Sequence, residues 1–143
     1  MSVNLPSERA AVVARTNPAN INNSTVLSDA VDMSKFHEAM FIILIGACDA
    51  AITAKLTESD ASGGTYTDIT GKAITALGGS DDNKQVVINL KSSDLTPSKR
   101  YVKLSITCAN GTTNIVGSVA LGMKPRFGPS SDDDLTTVAE IVA

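Results

Sequence analysis

Apolar and polar residues alternate along most of this chain, in short segments separated by polar turns. The strongest segment is residues 36–46, FHEAMFIILIG, which contains the unbroken apolar run 40–45. That run is too short to cross a bilayer, which needs about 20 apolar residues. Phe36, Met40 and Ile43 fall at helical spacing. A strand accounts for more of the segment, because Phe41, Ile42, Ile43 and Ile45 are aromatic or β-branched and Gly46 closes it. Apolar residues on both parities predict a strand covered on both faces. One parity then fills a sandwich core. The other lies under an arm of the chain or at a subunit interface.

Around this segment the pattern predicts further strands. Residues 25–33 alternate weakly. Residues 51–57 alternate cleanly, with Ile52, Ala54 and Leu56 on one face. Residues 66–70 and 73–77 read as two short strands broken at Gly71. In 85–91, Val86, Ile88 and Leu90 face inward; in 101–108, Val102, Leu104, Ile106 and Cys108 do so. Asn110-Gly111 is a strong hairpin signal, and it predicts that 115–121 pairs back on 101–108, with Ile115, Val119 and Leu121 on one face. The clusters SDASGG, GGSDDN and SSDLTPSK supply turns, and GMKPRFGP ends the body. About eight short strands between polar turns predict an all-β fold, an antiparallel β-sandwich or jelly roll.

Both ends of the chain read as extended arms. Residues 1–24 carry Pro6, Pro18 and several Asn with few large apolar side chains, so they form an N-terminal arm, in which 10–14 is apolar enough for a short strand or a helical turn; residues 25–129 form the β-sandwich domain. Residues 130–143 form a C-terminal arm. There Ser131 stands at a helix N-cap position before three Asp, and Leu135, Val138, Ile141 and Val142 make one apolar stripe. A strand added to a neighbour's sheet edge is the alternative for this arm.

Composition narrows the function. With 143 residues, 43% of them apolar, the chain suffices for one domain with its own core. Three Phe, two Tyr and no Trp make that core aliphatic. A net charge of −3 without a basic patch argues against nucleic-acid binding. No basic segment followed by an apolar stretch marks a signal peptide, and no span long enough for a membrane is visible. Cys48 and Cys108 each close an apolar strand pattern and read as small buried thiols rather than a disulfide.

No constellation reads as an active site, and the sequence implies no cofactor and no metal. His37 is the single histidine, has Glu38 beside it, and lacks a nucleophile elbow; an edge or loop histidine is the plainer reading. Asp132, Asp133 and Asp134, like Asp81 and Asp82, are adjacent in sequence and so poorly placed to converge on one cation. Gly71-Lys72 lacks the rest of a phosphate loop. Contact residues are the better candidates. Lys124, Arg126 and Phe127 lie beside Pro125 and Pro129 where the body ends, either as a protein-contact anchor or as a loop that packs Phe127 into the sandwich floor. Leu5, Val12, Val13 and Arg15 would serve the first arm in binding a partner, and Leu135, Val138 and Ile141 the last.

Several segments between Val31 and Pro129 resemble small structural proteins of tailed-phage heads: VDMSKFHEAMFIILIG, GGTYTDITGKAITAL, KRYVKLSITCANGTT and ALGMKPRFGP. The resemblance is to virion structural proteins, among them head decoration (cement) proteins with a jelly-roll domain. It implies a non-enzymatic protein on the outer capsid surface, assembled in the bacterial host cytoplasm. It also implies a homotrimer bound to the major capsid protein, with arms that reach across neighbours and stiffen the shell. Another virion part, such as a tail, head-tail completion or head-fibre base protein, would use the same strands and arms. A carbohydrate-binding sandwich would need aromatic platforms, for which only Tyr66 and Tyr101 are present.

Overall fold

The structure, a computed structural model, describes residues 5–127 together with Val138 and Ile141. One helical turn, α1 (Pro6–Arg9), precedes nine strands. These are β1 (Ala10–Asn20), β2 (Ser24–Leu27), β3 (Val31–Asp32), β4 (Phe36–Cys48), β5 (Ile52–Ser59), β6 (Thr67–Ala73), β7 (Gln85–Lys91), β8 (Tyr101–Cys108) and β9 (Asn114–Pro125). They form a four-stranded sheet in the order β1-β9-β4-β7. A five-stranded sheet has the order β2-β8-β5-β6, with β3 also on β8. Every strand pairing is antiparallel. Apart from the consecutive pair β5-β6, paired neighbours come from separate parts of the chain, and the chain crosses repeatedly from one sheet to the other. This is the strand order of a jelly roll, with β2 and β3 acting as one interrupted strand.

The core lies between the sheets. The four-stranded sheet contributes Phe41, Ile43, Ile45, Leu90 and Val116; the five-stranded sheet contributes Ile52, Leu56, Val102, Leu104 and Ile106. Strand β4 is central, between β9 and β7, as the apolar run predicts. Its inward parity is Ala39, Phe41, Ile43 and Ile45. Both cysteines are free and buried.

Four expectations are corrected. The N-terminal arm is largely not an arm. Strand β1 pairs with β9 from Ala10↔Met123 to Asn20↔Ile115, and Ala11, Val13 and Ala14 are buried. The sandwich therefore begins at Ala10, and removing residues 1–23 would take β1 out of its sheet. Pro18 made this stretch look irregular, but it falls where the register shifts between Thr16 and Ala19, on the edge strand, where a missing N–H is tolerated.

The hairpin at Asn110-Gly111 does not form. Strand β8 lies in one sheet and β9 in the other. A type I′ turn needs positive φ at both central residues, and Gly71 is the described glycine that has it. The loop instead crosses the end of the sandwich. The Asp49 carboxylate accepts the N–H of Thr112 at 2.9 Å and of Thr113 at 3.2 Å. Fully buried Asn114 accepts the Ala50 N–H at 3.1 Å through its Oδ1.

The predicted break at Gly71 is absent as well. Strand β6 runs through it, with a register shift opposite Lys55 and Thr57 and Gly71 at φ 77, the conformation for which glycine is suited. Beyond Ala73, which closes β6, the Ile74 N–H donates to the Ala54 carbonyl at 2.9 Å and Leu77 forms an isolated bridge with Ile52. At the other end, β9 continues to Pro125, past the strand end expected at 121 and into the segment whose glycines and prolines predict no regular element. The expected C-terminal helix lies outside the described residues.

Candidate docking face

The second parity of β4 points away from the core. Met40 pairs with Leu121 and Asn89, Ile42 with Val119 and Val87, and Leu44 with Gly117 and Gln85. Directly opposed residues in a ladder share a face. Strand β1 extends the same row, with Val12 opposite Leu121 and Arg15 opposite Val119. Ile115 lies over Gly46, whose missing side chain leaves it room: a Cβ there would sit 3.2 Å from Ile115. The outer surface of the four-stranded sheet is therefore apolar along β4 and β9, with Val12 and Val87 extending it and Arg15, Gln85 and Asn89 at its edges. Leu44 is 55% exposed, Val87 49% and Ile115 43%.

Toward one end the face dips into a groove of about 470 Å³, lined by Val12, Arg15, Pro18, Leu44, Gly46, Ile115 and Val119 among others. Val138 lines it too, although it comes from the C-terminal segment. Arg15, half-buried at the groove, takes part in no ion pair among the described residues. At the opposite end, Lys124 Nζ meets Glu38 Oε1 at 2.8 Å, and that hydrogen bond holds the Glu38 carboxyl below its ordinary value. A second hollow there, of about 640 Å³, runs between α1 and the end of β9.

The outer surface of the five-stranded sheet has the opposite character. Thr25 and Thr107 share a hydroxyl hydrogen bond at 2.7 Å. Lys55 pairs with Asp68 at 2.8 Å. Lys103 stands 4.8 Å from the centre of the Tyr66 ring. Leu27, 56% exposed, is the large apolar exception on β2. A sandwich normally presents polar residues on both outer surfaces, so the asymmetry singles out the four-stranded sheet. Contiguous exposed apolar surface of this kind marks an interaction site.

The structure sorts the residues expected from sequence. Val12, Arg15 and Val138 come together at the groove. Val13 does not belong with them: it is 5% exposed and faces the core, because β1 carries a bulge between Val12 and Ala14. Leu5 is exposed at the start of α1, where its N–H donates to Glu8 Oε2 at 2.7 Å. Lys124 is on the rim through Glu38. Arg126 donates its N–H to the Lys35 carbonyl at 2.9 Å and lines a separate hollow with Met33 and Arg100. Phe127 is 75% exposed, so it does not pack into the sandwich floor. Ile141 is 49% exposed, and Leu135 lies outside the described residues.

Of the face residues, Met40, Ile42 and Leu44 belong to the second parity that the sequence places under an arm or at a subunit interface; Val87, Val119 and Leu121 are not among the contacts read from sequence. Their signal was the double-parity run in β4 and the apolar alternation in β9. Val87 gave a weaker one, as an apolar residue where its strand should turn polar.

The chemistry elsewhere is occupied or structural. His37 is exposed on β4. Burial, reinforced by the Asp82 carboxylate, pushes the Cys48 thiol up to about 11, and burial raises Cys108 as well. Tyr66 donates its hydroxyl to the Ser62 carbonyl at 2.8 Å, and the Arg100 guanidinium stands 5.0 Å from the Tyr101 ring centre. Both tyrosines are thus engaged within the chain. Among the described residues no group of three His, Cys, Asp or Glu side chains could hold a metal ion, and no helix is long and apolar enough to cross a membrane.

No protein-family model matches this sequence, and no curated protein does. Among solved structures, a chain in the structure of infectious bursal disease virus, Gx strain, is similar at 14% identity and a TM-score of 0.42. The match covers 84% of this chain and 31% of that one, so this chain spans less than a third of the viral chain's length. A likeness of that strength says nothing about what this chain binds. The fold itself defines a class: a jelly-roll sandwich with one polar and one largely apolar outer surface.

Proposed function

We propose that this chain is a non-enzymatic capsid decoration, or cement, protein of a tailed-phage head. It binds the outer surface of the shell as a homotrimer and reinforces contacts between major capsid proteins. The observation that carries this reading is the one-sided outer surface of the sandwich. The four-stranded sheet offers Leu44, Val87 and Ile115 to a partner, while the five-stranded sheet offers threonines and ion pairs to solvent. A protein that lies on a shell needs one surface that leaves water and one that stays in it. Repetition over a lattice supplies avidity, so each copy can bind modestly. The sequence resemblance to phage head proteins points to the same partner.

The test is binding of purified chain to capsids that lack decoration, read by co-sedimentation. Leu44→Glu and Val87→Glu are expected to lose occupancy. Leu27→Glu, equally exposed but on the other sheet, is expected to keep it. Equal binding by all three variants would remove the face from the reading. Binding of the wild-type chain to tails or connectors instead of heads would move the protein to another part of the virion.

A further inference from the structure

A small hollow of about 260 Å³ lies beside the end of β9, apart from the apolar face. Four segments meet around it. The turn after β3 brings Ser34, the 3-10 turn Ser92–Asp94 brings Ser92, the loop before β8 brings Ser98, Lys99 and Arg100, and the residue after β9 is Arg126. Among the described residues no acidic side chain lines it. Lys99 and Arg126 take part in no ion pair among those residues. The Ser92 and Ser98 hydroxyls have no hydrogen-bond partner among them either. The carboxylates carried by these segments, or bonded to them, are committed elsewhere. Asp32 holds Arg100 at 2.8 and 2.7 Å, Asp94 pairs with Lys72 at 2.9 Å, and Glu58 accepts the Thr96 N–H at 3.0 Å. The hollow is therefore positive by two charges in a chain whose net charge is −3.

The backbone holds these donors in place before any ligand arrives. Ser98 has φ 74, a left-handed conformation that residues with a Cβ seldom adopt, and such outliers collect at binding sites. The Lys99 N–H closes the turn on the Thr96 carbonyl at 3.0 Å. The Arg100 N–H donates to Ser59 and the Arg126 N–H to Lys35, each at 2.9 Å. We propose that the hollow binds a tetrahedral oxyanion of the phosphate class, either free or as the terminal phosphoryl of a small phosphate ester. A phosphate monoester carries about −1.5 to −2 charges at pH 7, which the Lys99 and Arg126 cations balance through charge-assisted hydrogen bonds. The Ser92 and Ser98 hydroxyls serve the remaining oxygens. Donors that come from separate segments suit oxygens that point in several directions, whereas a carboxylate offers two in one plane. Arg100, bound to Asp32, anchors the loop. The inference goes beyond the capsid reading and does not rest on it, since the hollow shares no residue with the apolar face.

The experiment uses the full chain, isotope-labelled, at neutral pH and constant ionic strength. Inorganic phosphate and, separately, glycerol phosphate are titrated in, and binding is read from amide chemical shifts. Saturable shifts are expected at Ser92, Ser98, Lys99, Arg126 and their chain neighbours, and not on the apolar face. Arg126→Met and Lys99→Met are each expected to weaken binding about tenfold, the loss of one hydrogen bond to a charged group. Arg126 is exposed and Lys99 half-buried, so both variants are expected to keep the wild-type shifts elsewhere. Lys103→Met, on the outer surface of the other sheet, is expected to bind as wild type. Tighter binding of the ester would identify a phosphomonoester as the ligand, and equal binding the free anion; either outcome sustains the proposal. The same saturable shifts with acetate would reduce the hollow to unselective positive charge and overturn it. Absence of saturable shifts with both phosphate probes, or equal binding by Arg126→Met and Lys99→Met, would overturn it as well.

Discussion

At the turn into the central strand, Asp32 accepts two hydrogen bonds from one guanidinium. Arg100 Nε donates to Oδ1 at 2.8 Å and Nη2 to Oδ2 at 2.7 Å, and the Ser34 N–H adds a third at 3.0 Å. The Arg100 bonds, with help from Ser34 and against the cost of burial, pull the Asp32 carboxyl from 3.8 down to about 2. A carboxyl lowered on folding contributes stability above its unfolded value, and the contribution is lost as pH falls through the folded one. Arg100 is 47% exposed, so solvent screens the pair, and its worth is about 1 kcal/mol. Asp32→Asn is expected to cost that much in urea unfolding at pH 7. Its gap from wild type is expected to close as pH drops from 3.8 toward about 2. A gap of the same size at both ends would show that packing, not charge, is what the substitution removed. None of this pair was legible in the sequence, because Asp32 and Arg100 meet only when β3 lies against β8.

Strand β9 shows what one element carries for both faces. Inward, Gly122 lies beneath Phe36, where an added Cβ would come within 2.8 Å of the ring. Phe36 is completely buried and has little room to yield. Gly122→Ala is therefore expected to destabilise the fold by about 1–3 kcal/mol, seen as a lowered thermal midpoint. Capsid occupancy at low temperature is expected to persist, since the outward residues Val119 and Leu121 are untouched. Loss of binding with full stability would contradict that separation of faces. The alternation of β9 was readable, but not which side its apolar residues took. Ile115, Val119 and Leu121 lie on one face, as the alternation predicts; that face is the outer one, while Val116 and Ala120 are buried. Small residues hid the buried side, as they did in β1, where Ala11 and Ala14 are fully buried yet look unremarkable in a sequence.

For the molecule as a whole, the docking face sets how binding responds to salt. Apolar burial is not weakened by screening ions, whereas surface charge pairs are. The dissociation constant for capsids is expected to change less than about tenfold between low salt and roughly 1 M, where the Debye length is only ~3 Å. A steep loss with salt would mean that Arg15, Lys124 and their counterparts dominate instead. The sequence alone determined that this chain is built of strands, that residues 36–46 lie at its centre, and that their second apolar parity needs a cover. Those are local statements, since the two-residue period of a strand is written in neighbouring side chains. Only the tertiary structure decided which strands pair. A jelly roll joins segments far apart in sequence, so Asn110-Gly111 became a crossing between sheets and a proline-bearing stretch became an edge strand. It also decided that the central run's unused face would lie open on the four-stranded sheet, because sheet order, not residue pattern, determines what stands in front of a strand.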